Sequence, residues 1–232
     1  MIFYSPNILD SPILPPAEAA HAIRVLRMGE GAEILVADGK GSFFRAQIRR
    51  ADPGNCILNI IESIVQPPLW TNSLHIAIAP TKNADRTEWF CEKATEMGVN
   101  RISLLRCARS ERREIKTERL EKVMVSAMKQ SGKALLPALD QVADFAGFAL
   151  RYNPPQKFIA HCDEAGEGKL PLHKVCRPAD TLILIGPEGD FSPEEIVMAL
   201  KAGFAPVSLG PSRLRTETAG LAACMIWHVA TG

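Results

Sequence analysis

The sequence predicts an α/β protein, with a mostly parallel sheet covered by helices and preceded by a small β-rich domain resembling a partly closed barrel. Three observations carry this. Beyond Pro67 and Pro68, strand-type and helix-type runs alternate, the order that builds a parallel sheet. Before that pair, short β-type runs succeed one another with turn signals between them. Two apolar runs late in the chain pass directly into glycine loops, at the strand ends where open parallel sheets bind ligands.

The elements follow in order. "PAEAAHAIRVLRM" is a helix that sets Ala19, Ile23 and Leu26 at helical spacing, with Gly29 placed to close it. "AEILVADG" is a strand ending in an Asp-Gly hairpin signal, "SFFRAQIRR" is its alternating partner, and "NCILNIIESI" is a third run. The Pro67-Pro68 pair fixes φ twice and offers no N–H, so it marks the seam between residues 1–68 and 69–232. Past it, "LHIAIAP", "RISLL", "KFIAHC", "TLILIG" and "PVSLG" are strands. "ADRTEWFCEKATEMG" is a helix with Trp89, Lys93 and Met97 on one face and Gly98 as C-cap. "KTERLEKVMVSAMKQS" turns Leu120, Val123 and Ala127 inward. Ser192, Pro193 and Glu195 open the next helix as a capping box, Gly203 ends it, and "TETAGLAACMIWHVA" is the last helix.

Composition limits the function classes. Of 232 residues, 47% are hydrophobic and 23% charged, enough apolar material for a sizeable core. The net charge of +1 argues neither for nor against nucleic acid, so only local placement of charge can. The cysteines, Cys56, Cys91, Cys107, Cys162, Cys176 and Cys224, show no C-x-x-C pair and no metal-ligand spacing. They read as reduced, mostly buried thiols of a cytoplasmic protein without a metal. "MIFYSPNILD" has no secretory pattern, and no apolar run nears the roughly 20 residues that span a bilayer, so no membrane partner is expected.

Three loops after strands carry the candidate chemistry: "HCDEAGEG", "GPEGDF" and "GPSRLRTET". "GPEGD" looks at first like a phosphate cradle. However, Pro187 removes a donor and Glu188 and Asp190 repel an anion, and neither G-x-G-x-x-G nor G-x-x-x-x-G-K is present. An acidic loop suits a ligand with positive charge and neutral hydroxyls. In "LRTETAG", Thr216 or Thr218 can cap the last helix, and Arg215 can hold a phosphate or carboxylate. Glu217 either caps, favoured by the helix dipole, or accepts a proton. The basic stretch "RISLLRCARSERREIKTER" follows a strand end on the glycine-loop side. Its Arg109 and Arg112 point to phosphate-backbone contacts, extended by Lys82 and Arg86, with Arg24 and Arg27 in a second patch.

"GPEGDFSPEE", "VSLGPSRLRTETAG", "EWFCEKATEMGV" and "SAMKQSGKALLP", with "AHAIRVLRMGEG" and "LVADGKG" before them, resemble the bacterial small-subunit rRNA uridine-N3 methyltransferases of the SPOUT superfamily. The resemblance spans nearly the whole chain. It implies a PUA-like first domain, a SPOUT-type α/β domain with a trefoil knot, S-adenosylmethionine as cofactor, small-subunit rRNA as substrate, and a homodimer. Carried over residue by residue, the cofactor loops hold Cys162, Asp163, Ile185, Gly186, Pro187, Glu188, Gly189, Leu209, Gly210, Leu214, Arg215, Thr216 and Thr218. Two positions depart from the family pattern. Asp190 stands where a second glycine is common, and Lys133 stands at an RNA-contact position where arginine is common. Methyl transfer to N3 is alignment work. Arg215 is the expected stabilising cation or phosphate anchor, and Glu217 the expected base. A methyltransferase for another RNA position and a non-catalytic RNA clamp are the rival expectations.

Overall fold

A computed structural model of the chain describes residues 1–162 and 169–232. They form two compact units, Met1–Leu69 with Val125–Leu136, and Trp70–Met124 with Pro137–Gly232.

The first unit contains β1 (Ile2–Tyr4), α1 (Pro16–Ala20), β2 (Glu33–Ala37), β3 (Ser42–Arg50) and β4 (Ile57–Val65). They form one sheet in the order β1-β2-β3-β4, with β1 parallel to β2 and the other pairs antiparallel. Period-two alternation in β3 buries Phe44, Ala46 and Ile48 and exposes Arg45, Gln47 and Arg49. Phe3, Ile8, Leu14, Ala19 and Val36 complete that core. The hairpin turn is shaped by Asp38, whose Oδ1 accepts from the N–H groups of Lys40 (2.7 Å) and Ser42 (3.0 Å).

The expected long helix is corrected here. After α1 the chain widens into a π-type turn over His21–Val25, in which Leu26 N–H donates to His21 C=O at 3.0 Å. The wider turn rotates Leu26 off the inward stripe, so it is exposed. The run stops at Arg27, whose φ is +56°, before Gly29 is reached. Residues 125–136 belong to this unit through Gln66 and Glu18. Gln66 Nε2 donates to Gly132 C=O (3.1 Å), its Oε1 accepts from Ala134 N–H (2.7 Å), and Lys129 pairs with Glu18 at 2.5 Å.

The second unit continues with β5 (Leu74–Ile78), α2 (Ala84–Met97), β6 (Arg101–Arg106), α3 (Thr117–Gln130), β7 (Ala138–Asp144), α4 (Phe145–Arg151) and β8 (Gln156–Ala160). It ends with β9 (Leu170–Pro171), α5 (Leu172–Val175), β10 (Thr181–Ile185), α6 (Pro193–Lys201), β11 (Ala205–Ser208) and α7 (Thr216–Thr231). The last turns of α3 count with the first unit. The sheet runs β7-β6-β5-β10-β8-β11-β9 and every pair is parallel. β10, all apolar but for Thr181, is buried along its whole length at the centre. Helix α2 turns Phe90, Cys91 and Ala94 inward, leaves Trp89 exposed, and ends at Gly98 with φ +94°. The Ser192–Glu195 capping box is formed on both sides.

β7, α4, β9 and α5 had no counterpart in the sequence reading. β7 is an edge strand without period-two alternation, its polarity spent on Asp140, Gln141 and Asp144. Among the described residues no helix is long and apolar enough to cross a membrane, and no cluster of His, Cys, Asp and Glu could hold a metal.

Candidate functional site

A parallel sheet sends all its strand ends to one edge, so the loops after β5, β6, β8, β10 and β11 leave together. Side chains then lock them to one another. In the loop after β10, Gly186 lies close under Phe191, where a Cβ would stand a tight 3.2 Å from the ring and from the Phe191 N. Asp190 closes the turn, its N–H donating to Pro187 C=O at 2.9 Å and its φ at +63°. Its Oδ2 accepts from Cys162 N–H and its Oδ1 from Phe191 N–H, each at 2.8 Å. Glu188 Oε1 accepts from Lys82 N–H at 2.9 Å, binding this loop to the one after β5. Glu195, beyond its capping role, accepts from Ala108 N–H at 2.8 Å and holds the loop after β6.

Two arginines assigned to RNA do internal work. Arg109 donates to the carbonyls of Gly189 (3.0 Å) and Phe191 (3.3 Å), and Arg112 to those of Thr81 (3.0 Å) and Lys82 (2.7 Å). Lys82 pairs with Glu111 at 2.7 Å in solvent, where such a pair contributes little. Arg24 and Arg27 are exposed in the first unit, and Lys133 is half-buried there.

The start of α7 corrects the capping expectation. Arg215 is the N-cap, with extended backbone and no side-chain cap bond. Thr216 is buried one residue inside, Thr218 is exposed two further on, and neither threonine caps. Glu217 does not cap either. Its side chain is 7% exposed, its Oε1 lies 3.8 Å from Arg86 Nε, and its Oε2 is buried with no hydrogen-bond partner among the described residues. The Arg213 and Arg215 side chains are exposed and make no hydrogen bond or ion pair among the described residues.

These loops enclose two cavities and a groove. A 720 Å³ cavity is lined by Cys162, Gly189, Leu209, Gly210 and Leu214 among others. A 280 Å³ cavity meets Ile185, Gly186, Pro187, Glu188, Arg215 and Thr216. The groove, 630 Å³, holds Arg86, Trp89, Arg215, Glu217 and Thr218. Arg213 and Leu214 border all three. The structure therefore gathers the cofactor residues expected from sequence around one loop cluster, with Thr218 facing the groove instead of the cavities. Asp163 lies outside the described residues. The cavities fall in the range of roughly 300 to 1,000 Å³ common for small-molecule sites, or just below it. Glu188 Oε2 is buried without a hydrogen-bond partner among the described residues, an acceptor suited to an ammonium or hydroxyl of a ligand.

Of the cysteines, only Cys162 is exposed. Burial pushes the Cys91 and Cys224 thiols up to about 12, which leaves them inert. Sequence reasoning missed Arg213 and the tie made by Asp190. Arg213 carried a signal, since it and Arg215 flank Leu214 in "RLR".

The chain matches an RNA methyltransferase domain over residues 68–228 and an RNA methyltransferase PUA domain over residues 14–61. It is 26% identical to "Ribosomal RNA small subunit methyltransferase E" of Mycobacterium bovis, over 96% of this chain and 89% of the relative. Among solved structures it is similar to a probable rRNA-methyltransferase from Porphyromonas gingivalis, at 46% identity and a TM-score of 0.93, covering 99% of this chain and 97% of that one. It is also similar to a ribosomal RNA small subunit methyltransferase E from Neisseria gonorrhoeae bound to S-adenosyl methionine, at 26% identity and a TM-score of 0.86, covering 100% and 98%.

Proposed function

The chain belongs to the RNA methyltransferase family, an S-adenosylmethionine-dependent rRNA methyltransferase with a PUA-like domain, and we propose that it methylates N3 of one uridine in small-subunit rRNA on the assembled subunit. The observation that carries this reading is the loop cluster. Acidic, glycine-bearing loops locked at one sheet edge border both a cofactor-sized cavity and an arginine-lined groove.

The residues fit the cofactor. Leu209 and Leu214 offer apolar contacts, Gly210, where a Cβ would meet open space, lets a ligand approach the backbone, and Glu188 Oε2 awaits a donor. When bound, the cofactor supplies an electrophilic methyl group on a sulfonium sulfur. The rest is the work of the chain. Asp190, Arg109 and Glu195 hold the loops rigid, so that orientation is set before the substrate arrives. Arg215, uncommitted at the N-terminus of α7, stabilises the anion of a deprotonated uracil or anchors its phosphate. Glu217 Oε2, buried beside the groove, accepts the N3 proton. Arg24, Arg27, Lys82, Arg86 and Lys133 supply sequence-independent backbone contacts. The same proposal includes a trefoil knot in the second unit and a homodimer in the cytoplasm. Met225 and Val229, exposed along α7, support the dimer as a surface a second copy would cover.

The test is methyl transfer to purified small ribosomal subunits lacking the modification, with free rRNA and tRNA as competitors and the nucleosides identified by mass. The expected product is 3-methyluridine at one site, formed on the subunit. A methyl group on another nucleoside, or preference for tRNA, would overturn the substrate assignment.

A further inference from the structure

Resting on the rRNA methyltransferase reading, we propose that residues 24–27, at the tip beyond α1 in the first unit, form an RNA wedge. Val25 and Leu26 press their apolar side chains against the bases of an unpaired, loosely stacked step, while Arg24 and Arg27 hold phosphates on either side. All four residues are exposed, Val25 by 65% and Leu26 by 36%. The backbone of the tip is unusual twice over. The π-type turn over His21–Val25 leads into it, a rare widening that is frequent at functional sites. Arg27 then takes a left-handed φ of +56°.

Among the described residues, Asp190 is the other non-glycine with a positive φ, and its carboxylate bonds its own turn. The Arg27 side chain makes no hydrogen bond or ion pair among the described residues, so nothing it does locally offsets the strain. Strain kept without such a return is typical of segments shaped for a ligand. The tip is also held from both ends. Ile23 before it and Met28 after it pack against the core of the first unit, and Met28 N–H donates to Ala22 C=O at 3.0 Å. Val25 and Leu26 are thereby presented on a fixed base instead of folding inward.

Charge selects the occupant. The Arg24 side chain, like that of Arg27, makes no hydrogen bond or ion pair among the described residues, and neither does that of Glu30, the next acid along the chain. Glu18, the last acid before the tip, is spent on Lys129. Two uncommitted guanidinium groups bracketing two apolar side chains match a polyanion that carries apolar rings, which is a nucleic-acid strand. Apolar wedges enter base steps that unstack at little cost, and in RNA such steps lie in loops, bulges and ends. The tip also lies inside the PUA-like domain. To the backbone contacts of Arg24 and Arg27 the wedge adds a preference for where on the rRNA the first unit rests.

The experiment uses the full chain and purified small ribosomal subunits lacking the modification. It reads the Kd for subunits across a salt series, methyl transfer, calorimetric affinity for S-adenosylmethionine, melting, and mass by light scattering. Val25→Ser combined with Leu26→Ser is expected to weaken subunit binding by about tenfold and to leave the salt slope and cofactor affinity unchanged. Val25→Ile combined with Leu26→Met, which keeps both side chains apolar, retains most of the affinity. Arg24→Ala combined with Arg27→Ala is expected to weaken binding and to reduce the slope of log affinity against log salt by about 1.5, the counterions of two phosphates. An unchanged Kd in the serine pair overturns the wedge. Equal loss in the Ile/Met pair with normal melting also overturns it, because apolarity is then not the cause. Loss that follows dissociation into smaller species assigns the tip to an interface between copies and overturns it as well. Subunits bound through the tip but not methylated leave the wedge standing and overturn the uridine-N3 reading.

Discussion

Asp190 Oδ2 accepts the backbone N–H of Cys162 at 2.8 Å, joining the loops after β8 and β10 across 28 residues of sequence. The same carboxylate caps its own turn through Phe191 N–H. An aspartate at φ +63° is tolerated because its short polar side chain bonds locally, whereas most residues are strained there. Asp190→Gly is therefore expected to keep the turn and lose the tie. Stability should fall by less than about 1 kcal/mol, the net worth of an exposed charged hydrogen bond less the relief of strain. Cofactor affinity should fall about tenfold as the Cys162 loop loosens. Calorimetry showing full affinity would remove Asp190 from the site's support.

Gly220 sits inside α7 where a Cβ would lie 2.5 Å from Phe90 Cε2 and 3.0 Å from Ile78 Cδ1. Helix propensity favours alanine there by up to about 1 kcal/mol. Overpacking against two buried side chains costs about 1–3 kcal/mol and wins. Gly220→Ala is expected to lower stability by about 1–2 kcal/mol in urea denaturation. An equal or higher midpoint would mean that α7 can lift off α2 without cost.

How much of this was legible in the sequence depends on the range of each interaction. Ser192, Pro193 and Glu195 act within one helical turn, so the capping box could be read from four letters. That Glu195 also holds Ala108 N–H required two segments 87 residues apart to meet, which no local pattern encodes. Arg109 and Arg112 looked like RNA contacts for the same reason. A basic stretch gives charge, but only the fold shows that their guanidinium groups already serve backbone carbonyls. Period and turn chemistry gave the strands on either side of the glycine loops. β7 escaped because its polar residues face a hydrogen-bond network of long range, centred on Asp140, instead of an apolar core.

That network sets a pH dependence. Asp140 accepts from Arg101 (2.9 Å), Tyr152 (3.2 Å) and Ser103. Burial alone would raise its pKa, but these partners hold it below the usual carboxylate range. Since Ser103 gives its one proton to Asp140, its Oγ accepts from His75 Nε2–H at 2.7 Å, which selects the Nε2–H tautomer of the neutral ring. Burial between Phe148 and Tyr152, with Arg101 nearby, pushes His75 down to about 4, opposed only in part by Asp140. Between about pH 6.5 and 4 the unfolded chain binds a proton at this position that the folded chain refuses. Stability is therefore complete above about pH 6.5 and falls as pH drops toward 4, by at most about 3 kcal/mol from this group. Melting curves across that window should show the loss, and His75→Gln should flatten it. An unchanged slope in the variant would locate the dependence elsewhere.

Arg215 offers the sharpest separation of function from fold. Its side chain is exposed and makes no hydrogen bond or ion pair among the described residues, so truncation leaves nothing unpaired behind. Arg215→Ala is expected to stay within about 0.5 kcal/mol of wild-type stability. Methylation of small subunits should nonetheless fall by about a hundredfold or more, the scale of losing one preorganised charge at a reacting anion. Arg215→Lys keeps the charge but not the planar fork, and should recover only part of that loss if two oxygens are held at once. Full recovery by lysine would make Arg215 a point charge and favour stabilisation of the uracil anion over a bidentate phosphate anchor. Initial rates near wild type in Arg215→Ala would remove the residue from the chemistry and turn attention to Arg213, which also borders the smaller cavity and the groove and makes no hydrogen bond or ion pair among the described residues.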